Sequence, residues 1–342
     1  MKKILATILA LVLALGLCSV SWADGEGEGG TTPPASTTVV AKIGEQGYAT
    51  LQAAVGAAQA GDTIMLIENE TNADTIAVTK DIHIEFGAYT VTGKPGAQVL
   101  RVTNAKVTLN GTTGGINGGS GGNNVAVVAA ESSVVTINGG IYTVGGDASG
   151  LGNSTVYTNG TNAKVIINGG TFSSEKPYNG KYYVLNQNNN ARGDIQVTGG
   201  NFVNYNPCKG DDVAGGNFAP DAVVASTGTE GNAKYHVGND FIVEAAKETK
   251  DITVVQGTSI SGLPNDTKVT NGTDSEITIN GNTVTAGTSY TVPARYYYHP
   301  STTTTPDTTK GSPKTFDAGV GIYAVTAVLS VTGMAWTAKK RH

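Results

Sequence analysis

Acidic side chains decide whether this sequence could hydrolyse a polysaccharide, because that reaction needs two carboxylates a few ångströms apart. Asp211 and Asp212 form the one adjacent pair of aspartates, and they lie in an irregular, glycine-rich stretch after Cys208. The outward positions of the best-defined predicted strands hold a single acid: Val134, Lys164, Asp194, Thr136, Ile166 and Gln196. The sequence therefore predicts no catalytic pair of carboxylates and no catalytic residue.

The other reactive side chains are isolated along the chain. His83 and His236 have no catalytic or metal-binding motif around them, and an isolated histidine is usually structural. A lyase would combine Arg or Lys with bound calcium, yet Arg101 and Arg192 lack a recurring acidic cluster nearby. Cys18 lies in the N-terminal apolar run, so Cys208 would be alone in the mature chain and could not close an internal disulfide. No metal and no cofactor is predicted.

One group of aromatic and amide side chains is suited to binding instead. Tyrosine rings and side-chain amides together provide flat apolar surface and hydrogen bonds. They form a candidate ligand surface of Tyr157, Tyr182, Tyr183, Asn186, Gln187 and Asn188. The alternative interpretation is a turn rich in asparagine with tyrosines packed inward.

A thirty-residue repeat determines the predicted fold. The phrases VTINGGIY, VIINGGTF and IQVTGGNF begin at Val135, Val165 and Ile195, so equivalent positions are thirty residues apart (165−135 and 195−165). Equivalent positions share their chemistry, which indicates coils stacked on one another rather than the antiparallel hairpins of a sandwich. Each phrase contains a glycine pair, where the chain can turn sharply. The polar residues before these pairs form a predicted corner ladder of Asn138, Asn168 and Thr198.

The first part of the chain resembles a known type of β-helix. An Ala-rich segment from Leu51 to Ala60 predicts a helix that would cap the open end of the solenoid. The surrounding residues are similar to pectin-lyase-like right-handed parallel β-helix domains of exported gut Firmicutes proteins; those that match are Tyr48, Thr50, Leu51, Ala54, Gly61, Asp62, Thr63, Ile64 and Leu66. The predicted fold class is therefore all-β, a right-handed parallel β-helix at residues 42–243, followed by a small β segment at 244–293.

The two ends of the sequence suggest export. Residues 1–23 combine basic residues, an apolar run and small residues before a cleavage position, which is typical of a signal peptide. A lipoprotein signal using Cys18 is the alternative. Residues 24–41 are a flexible leader, and residues 294–311 form a stalk rich in Thr and Pro. Residues 312–342 contain a short polar motif, an uncharged run long enough to span a membrane, and a basic tail.

This C-terminal arrangement resembles the cell-wall sorting signal of Gram-positive surface proteins. Pro313 and Thr315 match the LPXTG pentapeptide, with Lys314 at its variable position, whereas Ser312 and Phe316 replace the usual Leu and Gly. The resemblance implies that sortase cuts after Thr315 and transfers its acyl group to a peptidoglycan amine. It also implies that the span crosses the membrane only transiently. A plain membrane anchor is the alternative.

Charge and motifs together leave three functional hypotheses. Between residues 24 and 315 the chain carries 17 basic and 26 acidic side chains, a net charge of −9 (17 − 26), which excludes a basic nucleic-acid footprint. The favoured hypothesis is a non-enzymatic, adhesin-like protein, wall-anchored at the surface of a Gram-positive bacterium. It would bind a glycan or a host or bacterial surface protein. The alternatives are a β-helix polysaccharide lyase or glycoside hydrolase and a passive surface spacer.

Overall fold

The chain folds as an all-β parallel solenoid with few helices. The computed structural model describes residues 38–145, 153–177, 180–208, 218–220, 222–229 and 231–294. Its first twenty strands are β1 (Ala41–Ile43), β2 (Gln46–Tyr48), β3 (Thr63–Leu66), β4 (Glu70–Ala73), β5 (Ile76–Val78), β6 (Ile82–Gly87), β7 (Thr90–Gly93), β8 (Gln98–Thr103), β9 (Lys106–Gly111), β10 (Gly115–Asn117), β11 (Val125–Ala130), β12 (Val134–Ile137), β13 (Ile141–Val144), β14 (Ser154–Asn159), β15 (Lys164–Ile167), β16 (Thr171–Ser174), β17 (Leu185–Gln187), β18 (Asp194–Val197), β19 (Gly200–Val203) and β20 (Phe218–Pro220).

Successive strands contribute in rotation to three sheets. The first sheet contains β3, β6, β9, β12, β15, β18 and β20 in parallel, with β1 and β2 antiparallel at its start. The second contains β4, β7, β10, β13, β16 and β19, and the third contains β5, β8, β11, β14 and β17. This rotation confirms the predicted parallel β-helix, whereas its right hand stays a prediction.

Apolar columns fill the solenoid as the repeat predicts. Val135, Val165 and Ile195 pair in register across β12, β15 and β18, and all three are buried. Alternate residues of each strand point to one side of the sheet, so a repeat of thirty residues places like side chains on top of one another. The stack contributes about 25 cal/mol for each square ångström of apolar surface removed from water.

The two glycines of each pair are needed for different reasons. At Gly169 an added Cβ would lie 2.6 Å from the Asn138 carbonyl oxygen of the preceding coil, closer than any side chain tolerates. Gly170, the second of the pair, has φ = +107°, a conformation that residues with a Cβ rarely adopt. The first glycine thus permits close stacking of the coils, and the second permits the turn.

A line of polar side chains runs along these corners. Asn168 Nδ2 donates to Asn138 Oδ1 at 2.9 Å, and Thr198 Oγ1 donates to Asn168 Oδ1 at 2.9 Å. The line extends further than the sequence indicates, because Asn138 donates to Asn110, which in turn donates to Glu85 Oε1 at 2.6 Å. Each amide both donates and accepts along the line, which ties neighbouring coils together.

A short helix, α1 (Leu51–Ala57), follows the first two strands. Thr50 caps it by accepting a hydrogen bond from the Ala53 amide at 3.1 Å. It is shorter than the predicted Leu51–Ala60, because the chain leaves the helical conformation at Ala58. The Gln52 side-chain oxygen accepts from the backbone amide of Ala77 in β5 at 2.8 Å, so α1 covers part of that edge strand.

The C-terminal described region continues the second sheet. It adds helix α2 (Asn239–Thr249) and strands β21 (Val224–Thr227), β22 (Lys234–Val237), β23 (Asp251–Gln256), β24 (Ser259–Ile260), β25 (Lys268–Asn271), β26 (Ile277–Ile279), β27 (Asn282–Val284) and β28 (Ser289–Thr291). Strand β22 pairs antiparallel with β19, and β21, β23, β25 and β28 extend the sheet beyond it. A second cluster of buried side chains lies here, and the predicted boundary between residues 243 and 244 falls inside α2.

The predicted signals at both ends lie outside the described residues. This applies to the signal peptide, to most of the leader and to the stalk and sorting motif. Within the described ranges no helix has the length and apolar character needed to cross a membrane.

Candidate functional site

The predicted ligand surface is only partly exposed. Tyr183, Asn186 and Gln187 are buried, with 6%, 8% and 4% of their surface exposed, so the prediction that they face solvent is wrong. Their neighbours explain the burial of the two amides: Asn186 donates to Ser154 Oγ at 3.0 Å and Gln187 donates to the Gly193 carbonyl at 2.6 Å.

The remaining members, Tyr157, Tyr182 and Asn188, are partly exposed. Tyr157 lies on the outer face of the third sheet, in register with Val128 and Arg101 of the two preceding coils. Burial raises the pKa of Tyr157, against the opposing effects of its hydrogen bond with Asn188 and the charge of Arg101. Val128 itself is fully buried. This face therefore presents a few separate polar groups rather than a continuous aromatic strip.

The outward positions of β12, β15 and β18 contain one acid, Asp194, and therefore no pair of acids. Asp194 lies 3.6 Å from Lys164 of the coil before it, and Glu85 accepts from Asn110 in the corner ladder. No group of three or more His, Cys, Asp or Glu side chains in the described residues could hold a metal ion. Asp194 and Glu85 are therefore both engaged in structural contacts.

A cleft that the sequence analysis missed lies between α2 and the outer face of the second sheet. It encloses about 390 Å³. Its floor comes from β16, β19, β21 and β22, and α2 forms one wall. The polar and aromatic side chains that line it include Asn201, Asn232, Lys234, His236, Phe241 and Glu248. The helix residues that line it follow the spacing i, i+3, i+4, i+7 and i+8 from Phe241, which is one face of a helix.

Two residues far apart in sequence meet on the floor of this cleft. The antiparallel pairing of β19 with β22 places His236 opposite Asn201. The ring atom Nδ1 lies 2.9 Å from Asn201 Oδ1, and Nε2 lies 2.9 Å from Thr227 Oγ1. An amide oxygen only accepts, so Nδ1 carries the proton, and the neutral ring accepts from the Thr227 hydroxyl. His236 is therefore a fixed, neutral group at the base of the cleft.

Burial and, to a smaller extent, the positive charge of Lys234 together lower the pKa of His236 to about 4. The ordinary pKa of histidine is about 6.5. The unfolded chain thus binds a proton below about pH 6.5 that the folded chain takes up only near pH 4. The contribution of this ring to stability is complete above pH 6.5 and is lost as the pH falls toward 4.

We expect the His236→Gln variant to lose this pH dependence. The wild-type free energy of unfolding should fall by up to about 3 kcal/mol more than that of the variant between pH 7 and pH 4. Urea unfolding of both proteins at several pH values measures the difference. Subtracting the free energy of unfolding of the variant from that of the wild type cancels the contribution of the carboxylates, including Glu244 and Glu248 of the facing helix. If the difference in free energy of unfolding between wild type and variant stayed constant over this range, the conclusion that the His236 ring is neutral would be wrong.

Comparisons with known proteins return nothing for this chain: no family model, no curated protein and no solved structure matches it.

Proposed function

We propose that this chain is an exported, non-enzymatic surface protein, adhesin-like, that sortase attaches covalently to peptidoglycan. The observation that carries the proposal is the order of features at the C-terminus. Pro313 and Thr315 stand between a stalk rich in Thr and Pro and an uncharged run that ends in a basic tail. Sortase, peptidoglycan and, transiently, the membrane are the partners that this order implies.

The solenoid suits the presentation of a binding surface. Its strands pair with the coils on either side and its corner amides are held in the ladder, so each coil is fixed relative to its neighbours. We include in the proposal that the coil is right-handed and that α1 acts as its N-terminal cap. The hydrogen bond from Ala77 to Gln52 supports the cap, since an uncovered edge strand invites pairing with another chain.

A polysaccharide-active enzyme is the second candidate function. Glu244 and Glu248 lie one helical turn apart and both line the cleft beside α2. Residues spaced this way have Cβ atoms about 5–6 Å apart, so their carboxylates can approach the separations that glycosidases use. However, Glu244 forms an ion pair with Lys247, which occupies one of the two carboxylates. An assay for newly released reducing ends distinguishes the enzyme from the binding protein.

We expect Thr315→Ala to abolish attachment to the wall. The substitution alters the residue whose acyl group the sortase would hold, so the protein should remain in the membrane fraction or appear in the medium. Wall fractions released by a peptidoglycan hydrolase, probed with an antibody to the solenoid, measure the change. Lys314→Ala is the matched control, because the LPXTG pattern leaves that position variable, and it should stay in the wall. Wall attachment of Thr315→Ala at the wild-type level would refute sorting at this motif.

A further inference from the structure

We propose that the cleft between α2 and the second sheet is a binding site for a short neutral saccharide of one or two sugar units. Its volume of about 390 Å³ lies at the lower end of the range of about 300–1,000 Å³ found for small-molecule sites. One side is the flat outer face of four strands, and the other is a helix. The sheet and the helix together make the site concave.

Several polar side chains converge on the cleft without a partner in the described part of the chain. Asn201 uses its oxygen for His236, which leaves its Nδ2 group available. The side chains of Thr171, Asn232, Lys234 and Glu248 make no hydrogen bond or ion pair with other described residues. They supply both donors and acceptors. A ligand rich in hydroxyl groups satisfies such a mixed set, because each hydroxyl donates and accepts.

Phe241 supplies the apolar contact in the same cleft. Its ring atoms lie against the corner of the repeat: a Cβ added at Gly169 or Gly199 would come within 3.3 Å or 3.0 Å of the ring. Because the two glycines have no side chains, there is space at these corners for the ring of Phe241. A ring held in place before binding costs little ordering entropy when a ligand packs against it. The apolar C–H face of a sugar ring is complementary to such a surface.

The charges in the cleft favour a neutral ligand. Lys234 and Glu248 carry opposite charges, Glu244 is paired with Lys247, and His236 is neutral near pH 7. An anion such as a phosphate would be attracted by Lys234 but repelled by Glu248, and a cation would experience the reverse, so neither sign of charge gains a matched set of partners. Hydroxyl groups can bond to both charged side chains, and hydrogen bonds to charged groups are stronger than those between neutral ones.

This inference does not depend on sorting, since the cleft belongs to the folded domain and Thr315 does not. Failure of wall attachment would leave the cleft intact, and failure of saccharide binding would leave the anchoring proposal intact. The two experiments therefore test separate statements.

The test is a titration of the full chain, purified in mild detergent, with the methyl glycosides of glucose, galactose, N-acetylglucosamine and galacturonic acid. Imidazole NMR signals report binding, because His236 lies in the cleft and His83 lies on the first sheet. We expect at least one neutral glycoside to shift the His236 signal saturably and to leave the His83 signal unchanged.

Two cleft variants and two matched controls then locate the site. Glu248→Ala and Lys234→Ala should each raise the Kd about tenfold through loss of a charged hydrogen bond. Both side chains are exposed, so folding should be unaffected. Glu68→Ala and Lys106→Ala remove the same side-chain types elsewhere and should change the Kd less than about twofold. The proposal is overturned if no neutral glycoside moves the His236 signal, if only galacturonic acid binds, or if both cleft variants keep the wild-type Kd.

Discussion

Phe172→Ala is expected to destabilise the solenoid by about 3–5 kcal/mol. Phe172 is completely buried in the middle of an aromatic stack. Its ring centroid lies 5.3 Å from that of Tyr142 and 5.1 Å from that of Phe202, with interplanar angles of 10° and 16°. Truncation removes two stacked contacts and leaves a cavity that the hydrogen-bonded coils on either side cannot close.

Urea unfolding followed by circular dichroism measures this loss, and Ile141→Ala is the matched control. Ile141 is also a large apolar residue near the same corner, but it faces outward with 42% of its surface exposed. Its truncation should cost less than about 1 kcal/mol. Equal losses for the two variants would show that the aromatic column does not form the core.

The sequence was sufficient to predict the aromatic column because the length of the repeat determines which residues of successive coils lie on top of one another. Tyr142, Phe172 and Phe202 occupy one position of a thirty-residue period, and the structure pairs them in that order. The same reasoning located the Asn138–Asn168 ladder. Its extension to Asn110 and Glu85 was missed, because the earlier coils differ in length: the bond from Asn138 to Asn110 joins residues 28 apart rather than 30.

The predicted ligand surface includes buried side chains because one of its strands is too short to show an alternating pattern. Strand β17 has just three residues, Leu185–Gln187, and all three are buried. Alternation over so short a strand does not show which side chains face solvent. The side-chain amides of Asn186 and Gln187, whose hydrogen-bonding capacity suggested a ligand, donate instead to Ser154 and to the Gly193 carbonyl. Composition alone does not distinguish these two uses of an amide.

The cleft could not be predicted from the repeat, since it is built where the repeat ends. Strand β22 runs antiparallel to β19, and this reversal brings His236 beside Asn201, 35 residues earlier. The wall of the cleft is a helix that begins directly after β22. The one local signal was the helical spacing of Phe241, Ala245 and Glu248, which shows that these residues share a face but not what lies opposite.

The second large effect is expected at the glycine pair. Gly169→Ala should destabilise the protein by about 1–3 kcal/mol, because the new Cβ would lie 2.6 Å from the Asn138 carbonyl oxygen. Relief requires the corner to move away from the preceding coil. That movement would weaken the hydrogen bond of Asn168 to Asn138 and push against Phe241, whose ring atom lies 3.3 Å from the same Cβ position.

Gly56→Ala is the matched control for this substitution. Gly56 lies in α1, and a Cβ built there meets no other atom within 4 Å. Alanine should raise the stability of that helix by up to about 1 kcal/mol, since it favours helix formation more than glycine. Urea unfolding of the two variants should thus give shifts of opposite sign. If Gly169→Ala were as stable as the wild type, the close approach of the coils would be wrong, and the doubled glycine would serve only the turn at Gly170. If Gly169→Ala is strongly destabilised, the close stacking of the coils explains why the glycine pair is repeated. The same pair of glycines then also leaves the space that the ring of Phe241 occupies beside the cleft.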